Sequence, residues 1–243
     1  MSKMLPPLLP ARFGRWAGAI GAVVALVLVA GAGNADAARS PCGLTFNRFD
    51  GAWALNTDQY GASANIQAFK PAICGSSSFG SAWSMEAGKA ASDGWAQSGY
   101  GNFQGSYMVF SQWTVTTSGP YHTKYFAAPS GTAQYWVNYN FSNGHLYMNK
   151  GLTTLDQTTF DPAVSWTGPW VPEFFGETAH CESDVPGVAG NRVAYTSVRK
   201  MARDGTWSSI PSLSLPTPDC TNSRYHRNWS VQPTSFQIYT DPL

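Results

Sequence analysis

Charge is scarce in this sequence. Only 12% of its 243 residues are Asp, Glu, Lys or Arg, and the formal net charge is +1. No stretch gathers Lys and Arg into a stripe that would neutralise phosphates, so neither nucleic acid nor an anionic membrane surface is expected as a partner. The four cysteines form no C-x-x-C pair, which argues against a redox motif or a zinc ribbon. Sustained helical periodicity is missing, and so is any repeat of fixed period; helix bundles and solenoids are excluded. The four histidines, His122, His145, His180 and His226, are scattered. No metal or other cofactor is expected.

What is present begins with a leader. Lys3, Arg12 and Arg15 precede an apolar run from Ala17 to Ala32, and Ala35-Asp36-Ala37 supplies an A-x-A cleavage pattern. That combination reads as a secretory signal peptide over residues 1–37. The apolar run is short for a membrane span and no charged stop-transfer segment follows it. Removing Lys3, Arg12, Arg15 and Asp36 takes the 15 basic and 14 acidic residues to 12 and 13. The expected mature chain, Ala38–Leu243, is a secreted monomer with no membrane attachment. An even cysteine count in an exported chain reads as two disulfides. Of the three possible pairings, the sequence-local one joins Cys42 to Cys74 and Cys181 to Cys220.

About 200 mature residues suit one all-β domain. Aromatic residues make up 14% of the chain, and 24 glycines accompany them, a mixture that favours strands joined by tight turns. Residues 38–60 read as an N-terminal arm and 61–243 as the domain. Alternating runs predict strands over Gly61–Phe69, Ser81–Ala87, Gly94–Tyr100, Gly105–Trp113, Gln134–Phe141, His145–Asn149, Trp170–His180, Asn191–Met201 and Ser235–Thr240. Asn143-Gly144, Lys150-Gly151 and Asp204-Gly205 read as turns. Asp161-Pro162 breaks the less regular stretch from Thr153 to Trp166, and the prolines of 208–233 predict a long loop. Regular strands with turns every ten or so residues indicate a β-sandwich or jelly roll.

Two polar side chains stand out within this pattern. Glu177 lies in the apolar run Trp170–His180 and alternates with Phe175 and Ala179, so the three share a face. A carboxylate so placed is either paired and silent or does chemistry. Arg192 and Arg199 are available as silent partners. Gln97 lies mid-strand beside Trp95, with Gly99 two residues on. If both face one hollow, an amide and a carboxyl would converge on a single water.

Ser81-Ala82-Trp83, the run Trp95-Ala96-Gln97-Ser98-Gly99, and Phe175-Gly176-Glu177-Thr178 resemble the glutamic peptidases called eqolisins. Glu182, Pro186-Gly187 and the run Arg192–Thr196 extend the likeness. The resemblance implies a concanavalin-like jelly-roll sandwich with a Gln/Glu dyad, placed here at Gln97 and Glu177. Thr178 stands where that family has Trp. The neprosin-type secreted proteins are also similar, across Ala62 to Gln97 and at Gly176-Glu177. Their dyad is two glutamates, and Ser92 and Asp93 stand here near the position of the first.

The resemblance implies an acid-acting endopeptidase. Glu177 would take a proton from water and later return it to the leaving nitrogen, while Gln97 stabilises the oxyanion. Trp83, Trp95, Tyr107 and Tyr139 would hold the polypeptide substrate. Two other classes fit the same fold. A carbohydrate-binding sandwich would stack its aromatics on an extracellular glycan. A glycoside hydrolase would need two carboxylates flanking the bond, with Glu86 and Glu177 as the candidates; Glu86 alternates with Ser84, out of phase with Trp83.

Overall fold

The computed structural model describes Cys42 and residues 48–54, 59–76, 78–168, 170–214, 224–231 and 234–241. The leader, Cys220 and therefore the Cys181–Cys220 pairing lie outside the described residues. Cys42 and Cys74 are joined by a disulfide.

Alternation of small or apolar residues with polar ones gives fifteen strands among the described residues. They are β1 (Arg48–Trp53), β2 (Gly61–Gln67), β3 (Phe79–Ala87), β4 (Asp93–Phe103) and β5 (Ser106–Thr116). β6 (His122–Phe126), β7 (Thr132–Asn140), β8 (His145–Lys150), β9 (Thr153–Gln157) and β10 (Val171–Thr178) follow. β11 (Gly187–Val188), β12 (Asn191–Met201), β13 (Trp207–Ser209), β14 (Tyr225–Val231) and β15 (Ser235–Thr240) complete the set.

They form two sheets. One has the order β1-β10-β3-β4-β5-β6; the other runs β14-β15-β11-β12-β2-β7-β8-β9, with β13 paired to β12. The segment read as an arm therefore supplies β1, an edge strand beside β10. The segment read as a long loop supplies β13 and β14, whose short runs lack clear alternation. Pro162 does not simply break the chain. It opens a single helical turn, α1 (Pro162–Ser165), in which the Asp161 side chain accepts from the Ala163 N–H. Proline suits that first position because its missing N–H would have no helical partner there. Gly144 and Gly205 hold φ of +72° and +82° in the expected turns, a region a side chain rarely tolerates.

The sheets pack face to face. Tyr100, Tyr135, Tyr195, Phe174, Phe236 and Ile66 are fully or almost fully buried between them. Burial of each such side chain contributes about 1.5–3 kcal/mol. Tyr195 stacks on Phe236, with ring centroids 4.6 Å apart, and its hydroxyl crosses to the other sheet to donate to the Phe175 carbonyl at 2.6 Å. That bond fixes the level of β10 against β12.

Both long sides of the sandwich are closed by charge. On one, Arg227 Nε of β14 lies 2.8 Å from Asp50 Oδ1 of β1, and Arg227 Nη1 donates to the Gly51 carbonyl. On the other, Asp156 of β9 accepts from Trp113 Nε1 of β5 at 3.2 Å and pairs with Lys124 of β6 at 2.5 Å. No described helix is long and apolar enough to cross a membrane.

Candidate active site

The six-stranded sheet has an inner face against the core and an outer face. Strand alternation sorts β10 between them. Phe174 and Gly176 turn inward, while Glu173, Phe175 and Glu177 turn outward. Opposite these three on β3 stand Met85, Trp83 and Ser81. Opposite those on β4 stand Gln97, Gly99 and Gly101. Gln112 of β5 and Thr123 of β6 continue the Gln97 level.

One row across the outer face therefore reads Glu173, Met85, Gln97, Gln112, Thr123. Neighbouring strands are about 4.8 Å apart, so the Glu173 and Gln97 backbones stand about 9.6 Å apart at the same level, with both side chains rising from the same face. Glu177 shares that face but is level with Ser81 and Gly101. Four residues at about 3.4 Å each put it about 14 Å further along the strand. The structure brings Gln97 and Glu177 to one surface and brings Gln97 and Glu173 to one level.

Sequence reading overlooked Glu173. The signal was present, since two acids four apart in a strand must share a face. Which acid stood level with Gln97 required the pairing of β10 with β3 and of β3 with β4.

Gln97 is held by an amide relay. Its Nε2 donates to Gln112 Oε1 at 2.9 Å, and Gln112 Nε2 donates to Thr123 Oγ1 at 2.8 Å. One N–H and the carbonyl oxygen of Gln97 remain without a partner among the described residues. Gly99 clears the space beside it. A Cβ there would lie 2.1 Å from the Ala82 carbonyl oxygen and 2.7 Å from Trp83 Cβ.

Glu177 is differently placed. Its Oε2 accepts from Trp83 Nε1 at 3.1 Å. Burial pushes its carboxyl up to about 8; the Trp83 bond opposes this and the Glu173 charge adds to it. Arg192 and Arg199 do not reach it. Arg192 lies over the Tyr239 ring, and Arg199 donates to the Trp207 carbonyl.

The aromatic expectations divide by face. Trp83 and Trp95 lie on the outer face with Phe49, Phe110 and Phe175. Tyr121, from the turn between β5 and β6, stacks on Trp95 with centroids 5.6 Å apart. Tyr107 and Tyr139 are not there. Tyr107 turns inward with Val109, and Tyr139 turns inward with Val137, packing on Trp170 and donating to Asp161. The reason is alternation, because the outer face of β5 carries Phe110 and Gln112.

Glu86 also turns inward. It faces the core between Pro172 and Ala96, fully buried, on the opposite side of the sheet from Glu177. The two carboxyls cannot flank one glycosidic bond.

The site is nearly closed to solvent, with Gln97 4% exposed, Glu177 8% and Glu173 9%. Among the described residues, Cys42, Cys74 and His180 have metal-ligand spacing, but the two sulfurs are bonded to each other.

The fold is that of the glutamic peptidases. Scytalido-glutamic peptidase bound to a peptide-based transition-state analogue superposes with a TM-score of 0.58 at 16% identity, over 80% of this chain and 98% of that one. SCP-B, a member of the eqolisin family in complex with the tripeptide Ala-Ile-His, gives 0.55 at 14% identity with the same coverage. No family model matches the sequence, and no curated protein matches it either. The likeness lies in the fold, at an identity where sequence alone shows little.

Proposed function

We propose that this chain is an exported, acid-acting endopeptidase in which Gln97 and Glu173 activate one water. The observation that carries the reading is their shared level on the outer face of a sheet with the glutamic-peptidase fold. Glu173, as carboxylate, takes a proton from a water held between the two side chains, and the water attacks the peptide carbonyl. The free N–H of Gln97 stabilises the developing oxyanion, with the Gln112–Thr123 relay keeping the amide from turning. Glu173 then returns the proton to the leaving nitrogen.

Glu177, the carboxyl the resemblance singles out, suits the base role less well. With its carboxyl raised to about 8 it is neutral in acid, and a base must first be ionised. In this reading it holds the Trp83 indole, and the buried Trp83 and Trp95 support the row of site residues from beneath. Trp83 and Trp95 are 2% and 5% exposed, which leaves no open ring plane for a sugar to stack on. Polypeptide is therefore favoured over glycan.

Export belongs to the proposal. It rests on the leader pattern and on the Cys42–Cys74 disulfide. A monomer needs no further chain to complete the row of site residues.

The test is cleavage of a denatured protein at about pH 4 by the wild type, Glu173→Gln, Gln97→Ala and Glu177→Gln. The proposal expects the first two variants to lose cleavage and Glu177→Gln to retain most of it. Loss in Glu177→Gln alone would move the base to Glu177. Absence of cleavage by the wild type would end the peptidase reading.

A further inference from the structure

A second opening lies away from the outer face. Where β5 and β6 of one sheet overhang β7, β8 and β9 of the other, a cleft of about 610 Å³ enters the space between the sheets. Small-molecule sites span about 300–1,000 Å³, so this one is large enough to take a ligand. Its walls include Val109, Phe126, Ala133 and Leu155, all apolar, with Lys150 at the rim.

Lys150 occupies an unusual position. It pairs with Tyr135 across β7 and β8, and Tyr135 faces the core. Lys150 therefore points inward, two residues beyond Met148, which is fully buried. Among the described residues no carboxylate pairs with it. The acid near this end of β9, Asp156, is already engaged by Lys124 and Trp113.

An ammonium that faces inward beside apolar walls, with no carboxylate among the described residues to pair it, describes a receptor for an anion with an apolar body.

We infer that this cleft binds a linear alkyl carboxylate, its head group at Lys150 and its chain against Val109, Phe126 and Leu155. The cleft is separate from the proposed peptidase site, since it opens between the sheets and that site lies on the outer face. Its test does not depend on any activity of the chain.

The experiment titrates decanoate into the wild-type protein by calorimetry, with decan-1-ol and decyltrimethylammonium as controls of equal chain length. The expected result is saturable 1:1 binding of decanoate, at least tenfold weaker for the alcohol and undetectable for the cation. Lys150→Gln should weaken decanoate at least tenfold and bring it level with the alcohol. Leu155→Arg, on the strand next to Lys150 in the same wall, should block the chain. Lack of saturable decanoate binding by a folded wild type overturns the inference. So does binding that the alcohol matches, or that survives both Lys150→Gln and Leu155→Arg.

Discussion

The two faces of the six-stranded sheet carry carboxyls in opposite circumstances. Glu173 and Glu86 sit on adjacent paired strands, one residue out of register, yet Glu173 rises beside a row of amides and Glu86 sinks into the core. Burial pushes the Glu86 carboxyl well up, and the Glu173 charge adds to the shift. Its two oxygens have no hydrogen-bond partner among the described residues. The lesson is that a perturbed acid is not by itself a site. What separates the two is which polar groups share the face.

The largest expected effect would break that comparison most directly. Glu173→Gln should lower peptide cleavage at least about 100-fold with the fold intact, the scale of losing a general base. Glu86→Gln should leave the rate within about twofold, measured on the same substrate and checked by circular dichroism. Equal losses in both variants would erase the distinction between the faces.

Next in size is the closure of the inner face at its edge. Asp50 is fully buried and pushed up to about 7 by burial, against the pull of Arg227. At about pH 8 it is ionised, and Asp50→Ala would leave the Arg227 guanidinium, 14% exposed, without its counterion. The expected cost is about 2–3 kcal/mol in urea unfolding, less than for a fully buried pair because water reaches the arginine. A cost below about 0.5 kcal/mol would show that the pair contributes nothing net.

A smaller effect concerns pH and sharpens the contrast with ordinary proteins. Asp50, Glu86 and Glu177 all hold their protons more tightly folded than unfolded. Stability from such groups is complete below the unfolded carboxylate range and is lost as pH rises, up to about 7 for Asp50 and about 8 for Glu177. Thermal unfolding should therefore move down by several degrees between about pH 5 and pH 8. Glu177→Gln should flatten the outer-face share of that slope. A midpoint that rises over this interval would contradict the burial of all three.

The smallest effect is a gain. Glu86→Met replaces an unpartnered carboxyl with a flexible apolar chain of similar length. It should raise stability by about 1 kcal/mol at neutral pH, read from urea midpoints. A loss would mean that Glu86 has a partner in solution.

How much of this the sequence disclosed follows from range. β12 and β15 were legible to the residue, as Asn191–Met201 and Ser235–Thr240, and β3, β8 and β10 to within two residues at each end, because alternation and turn glycines are local. β1 and β14 were not, because an edge strand needs a neighbour more than a pattern, and their neighbours lie far away in the chain. The site was half legible. Gln97 and the acidic run of β10 were visible as polar residues inside apolar strands. The choice between Glu173 and Glu177 was not, since register is set by pairing. The inward turn of Tyr107 and Tyr139 was not legible either, since which face of β5 and of β7 is the inner one depends on their pairing with neighbouring strands.

Arg227 binds Asp50 and the Gly51 carbonyl across a separation of 176 residues. The first described strand is thus latched by one of the last. A ribosome releasing this chain in order has made nearly everything before that latch exists, so the sandwich cannot shut while translation is under way. If the chain is exported as proposed, late latching would keep it threadable, and the row that holds Gln97 and Glu173 would be completed only on the far side of the membrane.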